Sequence, residues 1–135
     1  MTHINYLALI IGTALAFLFS AVYYILLNKR VMAYRGIKPP KKGQYKLAMT
    51  PNKIMAELVR TFVLGVVIAY ATAALDLTSL SQAVLLAVWL WIGFPVVLLV
   101  GSVMHEKFPP QLAAVHAGDW LAKLLIFTVI TTLWR

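Results

Sequence analysis

The chain has no cysteine, which excludes a disulfide, a thiolate metal site and a cysteine nucleophile. Acids are scarce, with four Asp and Glu against twelve Lys and Arg. Two long stretches, Ile4–Leu27 and Leu77–Met104, contain no charged residue at all. Crossing a bilayer's hydrocarbon core takes about 20 apolar residues of helix. A soluble domain of 135 residues cannot hide so much continuous apolar surface, so the pattern is that of an integral membrane protein. No Lys or Arg precedes the first stretch, and it exceeds the 7–15 apolar residues usual in a cleaved signal. It is expected to stay as an anchor.

Hydrophobic residues make up 62% of the chain. At about 25–35 residues per span with its loop, the length accommodates four helices and no separate soluble domain. The expected architecture is an all-α, four-helix membrane bundle with spans near residues 4–28, 51–75, 80–104 and 110–133. Thr50 and Pro51 form a helix start, as N-cap and first helical residue. Gly36 and Pro39-Pro40 mark a helix stop, Ser79 or Ser81 caps the third span, and Pro95, which removes a backbone hydrogen bond and frees the Trp91 carbonyl, is expected to kink that span. Small residues recur four apart: Gly12, Ala16 and Ser20 in the first span, Gly65, Ala69 and Ala73 in the second. Such stripes let helices approach closely, and the simplest arrangement sets the two against each other.

The net charge of +8 is concentrated. Lys29, Arg30, Arg35, Lys38, Lys41, Lys42, Lys46 and Lys53 follow one another with no acid between them. Positive loops stay in the cytoplasm. The expected topology therefore has both termini outside a bacterial cytoplasmic (inner) membrane. The same residues would attract anionic lipid head groups. No nucleic-acid recognition motif accompanies them.

Ionisable residues inside spans are costly and face a bundle interior or a wet cavity. The second span carries Glu57 and Arg60, and the fourth carries His116, Asp119 and Lys123. At about 100° per residue, His116, Asp119, Trp120, Lys123 and Phe127 share one face, with Ala114, Gly118 and Ala122 opposite. Counted from Pro51 and Pro110, Arg60 and Asp119 both lie about 13 Å along their helices, and Glu57 and His116 about 9 Å. Equal depth predicts cross-helix rungs, Arg60 with Asp119 and Glu57 with His116 or Lys123. These charges either fix helix register or line a cytoplasm-facing pocket, with Trp91 and Trp120 as its apolar floor. A metal set drawn from His105, Glu106, His116 and Asp119 has no strong ligand spacing, so no metal and no cofactor is expected. Nucleophile elbow, phosphate-binding loop and HExxH motifs are absent, which speaks against hydrolytic or nucleotide chemistry.

Four short runs carry a resemblance: Asn5-Tyr6-Leu7-Ala8, Leu90-Trp91-Ile92-Gly93-Phe94, His116-Ala117-Gly118-Asp119-Trp120-Leu121 and Leu133-Trp134. Together they resemble a bacterial family of small four-span membrane proteins of unknown function. The resemblance implies the four-helix architecture and no particular activity. It also implies Asn in most members at the position of His116, without the charged rung. Two function classes follow from the residues: a membrane binding or transport module with a charged pocket between the second and fourth spans, or a structural subunit of a larger membrane complex. Either would be homo-oligomeric or bound to a membrane partner.

Overall fold

A computed structural model describes residues 3–36 and 50–134. Within the polybasic segment, Lys38, Lys41, Lys42 and Lys46, with Pro39-Pro40, lie outside the described residues. The described residues are helical with no strand. Helix α1 spans Tyr6–Leu26, α2 Asn28–Tyr34, α3 Pro51–Ala74, α4 Leu80–His105 and α5 Pro110–Leu133. Four of them, α1, α3, α4 and α5, are long and apolar enough to cross a membrane.

Local chemistry explains where each begins and ends. Asn5 Oδ1 caps α1 by accepting from the backbone N–H groups of Leu7 and Ala8 at 3.0 and 3.1 Å. Thr50 caps α3, with Pro51 at its first position. Ser79 caps α4 in a reciprocal box with Gln82: Gln82 N–H donates to Ser79 Oγ, and Ser79 N–H donates to Gln82 Oε1. Gly36 stops α2 at a φ of +70°.

The ends of α3 and α4 use one device. Asp76 and Lys107 adopt left-handed φ values of 50° and 55°. The following N–H then reaches back into the last turns, Leu77 five residues to the Thr72 carbonyl and Phe108 six residues to the Ser102 carbonyl. Leu77 is buried by this turn.

Pro95 leaves its mark as a π-helical turn over Ile92–Val96 within α4. Proline has no N–H for the ladder, and a wider turn accommodates its ring. Before the turn, Ala83 and Ala87 are fully buried; after it, Val97–His105 contributes no buried residue.

Helix α5 is central, with 33% of its spanning window buried against 17 to 22% for the other three. The core draws on every span: Leu9 and Ala16 from α1, Ile68 from α3, Ala87 from α4, Leu124 and Phe127 from α5. Both glycine stripes face inward, but not directly onto each other. The Phe127 ring of α5 lies between them, touching Gly12 on one side and Gly65 on the other. The expectation of stripe against stripe is corrected on this point. A fully buried aromatic ring occupies the space that two missing Cβ atoms leave.

Candidate functional site

The intramembrane polar residues gather where α1 meets α5. The helices run antiparallel there, as the contacts Tyr23 to Val115, Ser20 to Asp119 and Gly12 to Phe127 require. Asp119 is the centre. Its Oδ1 accepts from Ser20 Oγ, and its Oδ2 accepts from Lys123 Nζ at 3.1 Å. The Asp119 and Lys123 side chains are only 6% and 10% exposed. The Lys123 ammonium also stands 5.8 Å from the centre of the Trp120 ring, within cation–π range.

One turn nearer the start of α5, the Tyr24 hydroxyl and His116 Nδ1 share a hydrogen bond of 2.5 Å. Phe108 and Tyr24 flank the imidazole with ring centres 5.9 and 5.7 Å away. Tyr23 reaches over Gly118 and donates to the Val115 carbonyl at 2.8 Å. Its hydroxyl takes the place a side chain at 118 would need, since a Cβ there would stand 2.5 Å from it. From α4, Trp91 Nε1 donates to the Ala117 carbonyl at 2.8 Å. Arg35, at the end of α2, lies within electrostatic range of His116 and Tyr24.

The predicted cross-helix rungs are not formed. Arg60 bonds Glu57 three residues earlier on its own helix, and their side chains are 66% and 34% exposed. Asp119 bonds Lys123 four residues later on its own helix. Equal depth says nothing about rotation. The buried face of α3 is Thr61, Gly65, Ile68, Ala69 and Thr72, and Arg60 points away from it. Neighbours three or four apart on one helix meet without any tertiary coincidence. The five charged positions thus divide into an inner set, the buried Asp119 and Lys123 with the half-buried His116, and an outer pair, Glu57 and Arg60.

The face of α5 expected to line a pocket is the most deeply packed one: Asp119, Lys123 and Phe127 are all buried. Trp91 and Trp120 touch this region separately and form no common floor, Trp91 capping the Ala117 carbonyl and Trp120 lying beside Lys123. Trp89 faces outward, 65% exposed. The cavities among the described residues include a water-sized one of ≈ 10 Å³ beside Asn5 and Thr131, and an apolar groove of ≈ 310 Å³ between Val96–Met104 and Pro110–Ala117. None of the five charged residues lines either. Among the described residues, no three His, Asp or Glu side chains converge on a metal position.

Sequence reasoning overlooked Ser20 as a partner of Asp119, and Tyr23 and Tyr24 as partners of α5. Gly118 held the missing signal. A glycine beside a charged residue on a spanning helix marks a spot where another chain segment comes close, and Tyr23 fills it.

Fold and polar cluster together define an all-helical membrane protein with a buried ion pair at mid-span. The chain belongs to the family described as "Protein of unknown function (DUF1761)", whose model matches residues 7–132. No curated protein and no solved structure matches it.

Proposed function

We propose that this protein is a structural subunit of a larger membrane assembly, in which the intramembrane charges lock helices rather than handle a solute. The observation that carries the reading is the Asp119–Lys123 pair. Both charges are buried, each is the other's partner, and Ser20 of α1 completes the carboxylate. A solute site at this depth would present a charged or polar group to a cavity, and these face each other. Buried hydrogen bonds between helices of this kind fix register.

The protein sits in the cytoplasmic membrane with both termini outside. Its polybasic segment, including the exposed Lys29, Arg30 and Arg35, lies on the inner face against anionic head groups.

Substitution separates the structural role from a chemical one. Asp119→Asn alone leaves Lys123 buried without its counter-ion and should cost about 3–5 kcal/mol. The double change Asp119→Asn with Lys123→Met removes both charges and should recover most of that loss. The double variant should also complement a deletion strain as well as the parent chain does. A stable double variant that fails to complement would overturn the structural reading, because the charges would then do work beyond holding the fold.

A further inference from the structure

The outward face of α3 carries a second pattern that the fold leaves unused. Ala56, Arg60, Val63, Val67, Tyr70 and Ala74 are spaced alternately four and three apart, and all are exposed. Val63, Val67 and Tyr70 keep more than half their surface, at 54%, 58% and 54%. Alternating three- and four-residue spacing is the seam of two helices wound left-handedly around each other. This seam lies away from the face that α3 packs into the bundle, Thr61 to Thr72.

Arg60 stands within the seam. It lies nine residues inside Pro51, about 13 Å along the helix. Of the five N–H donors of its guanidinium, one has a described partner, Glu57 Oε1. A charged group at the lipid face of a span is expensive, and an intrahelical pair satisfies only part of it. A single polar residue in such a seam fixes register and copy number.

We infer that the Arg60 face of α3 is a self-association surface, where a second copy of this chain packs in parallel with Arg60 of each copy reaching Glu57 of the other. Every copy inserts the same way, since each carries the same basic segment. A two-fold axis along the membrane normal then brings equal depths together. The contact is self-complementary, with one cation and one carboxylate from each copy. A different partner would have to supply its own acid at this depth, and the chain already holds one in Glu57. The alternative for Arg60 is to bend back to the lipid head groups. The inference rests on α3 alone and goes beyond the subunit reading by naming one partner.

The absence of native cysteine makes the test direct. Single variants Val63→Cys, Val67→Cys and Tyr70→Cys, oxidised in native membranes, should give disulfide-linked dimers. The flanking variants Val59→Cys and Phe62→Cys, also exposed but off the seam, should give severalfold less. Arg60→Glu in the Val67→Cys chain should lower the dimer yield severalfold, and adding Glu57→Arg should restore it. Dimers formed equally on and off the seam, or at neither, would overturn the surface. Seam dimers indifferent to Arg60→Glu would send Arg60 to the head groups and overturn the charge pairing. Native gel migration of the same membranes keeps the two readings apart. A complex larger than a monomer without seam crosslinks sinks the α3 surface alone, whereas a monomer sinks the subunit reading as well.

Discussion

Gly65→Ala adds one methyl group at the tightest point of the bundle. Its Cβ would stand 2.5 Å from Phe127 Cε1, 2.7 Å from Leu9 Cδ1 and 2.9 Å from Phe127 Cζ. Carbon atoms rest at about 3.5–4.0 Å, so the neighbours must retreat by roughly 1 Å. The ring has no room to do so. Phe127 is fully buried, and the same Cε1 atom, with Cδ1, is already 3.2 Å from where a Cβ would stand at Gly12. Leu9 is 2% exposed and equally confined. Overpacking of this kind costs about 1–3 kcal/mol, and a rigid ring held from both sides places the cost in the upper half. Alanine's better helix propensity returns up to about 1 kcal/mol. The net expectation is a loss of about 1–2 kcal/mol, read by reversible unfolding in mixed micelles. In a Phe127→Leu background the ring is gone and the Leu9 contact remains, so the same Gly65→Ala change should cost clearly less. A neutral Gly65→Ala in the parent chain would refute the reasoning. So would an equal cost in both backgrounds, because then Phe127 is not what the glycine accommodates.

Two further outcomes are expected. Gly118→Ala should destabilise by about 1–2 kcal/mol in the same unfolding assay, because its Cβ would meet the Tyr23 hydroxyl at 2.5 Å; the pair Gly118→Ala with Tyr23→Phe should recover part of the loss, and no recovery would mean that the hydroxyl is not the obstacle. For topology, a membrane-impermeant thiol reagent applied to whole cells should label Thr78→Cys and leave Lys29→Cys unlabelled until the cells are opened; the reverse pattern would invert the chain in its membrane.

Much of the local structure was legible in single residues. Thr50-Pro51, Gly36 and the Ser79 or Ser81 cap, which the structure assigns to Ser79, each carry their own capping chemistry, which acts within a few residues and needs no knowledge of the rest of the fold. At Pro95 the expectation was a kink, and the structure places a π-helical turn over Ile92–Val96 there. The polar residues behaved differently. Asp119 and Lys123 stood out as charges in need of partners, yet those partners were assigned across helices when a neighbour four residues away on the same helix was available. Depth along a helix can be counted from the chain. Rotation about its axis depends on which face the neighbours cover.

By itself the sequence determined the class of protein, the four spans and their caps, because hydropathy and capping are properties of short stretches. The tertiary structure decided which helix lies at the centre, and that choice governs the rest. With α5 in the middle, its charged face turned inward onto Ser20 and away from the apolar groove beside Val96–Met104, and Phe127 filled the space between two glycine stripes from different helices. The same packing left Arg60 outside, since α3 buried the face through Gly65 and Thr72 instead. Each of these outcomes depends on side chains far apart in the chain competing for one volume, and only the assembled bundle settles that competition.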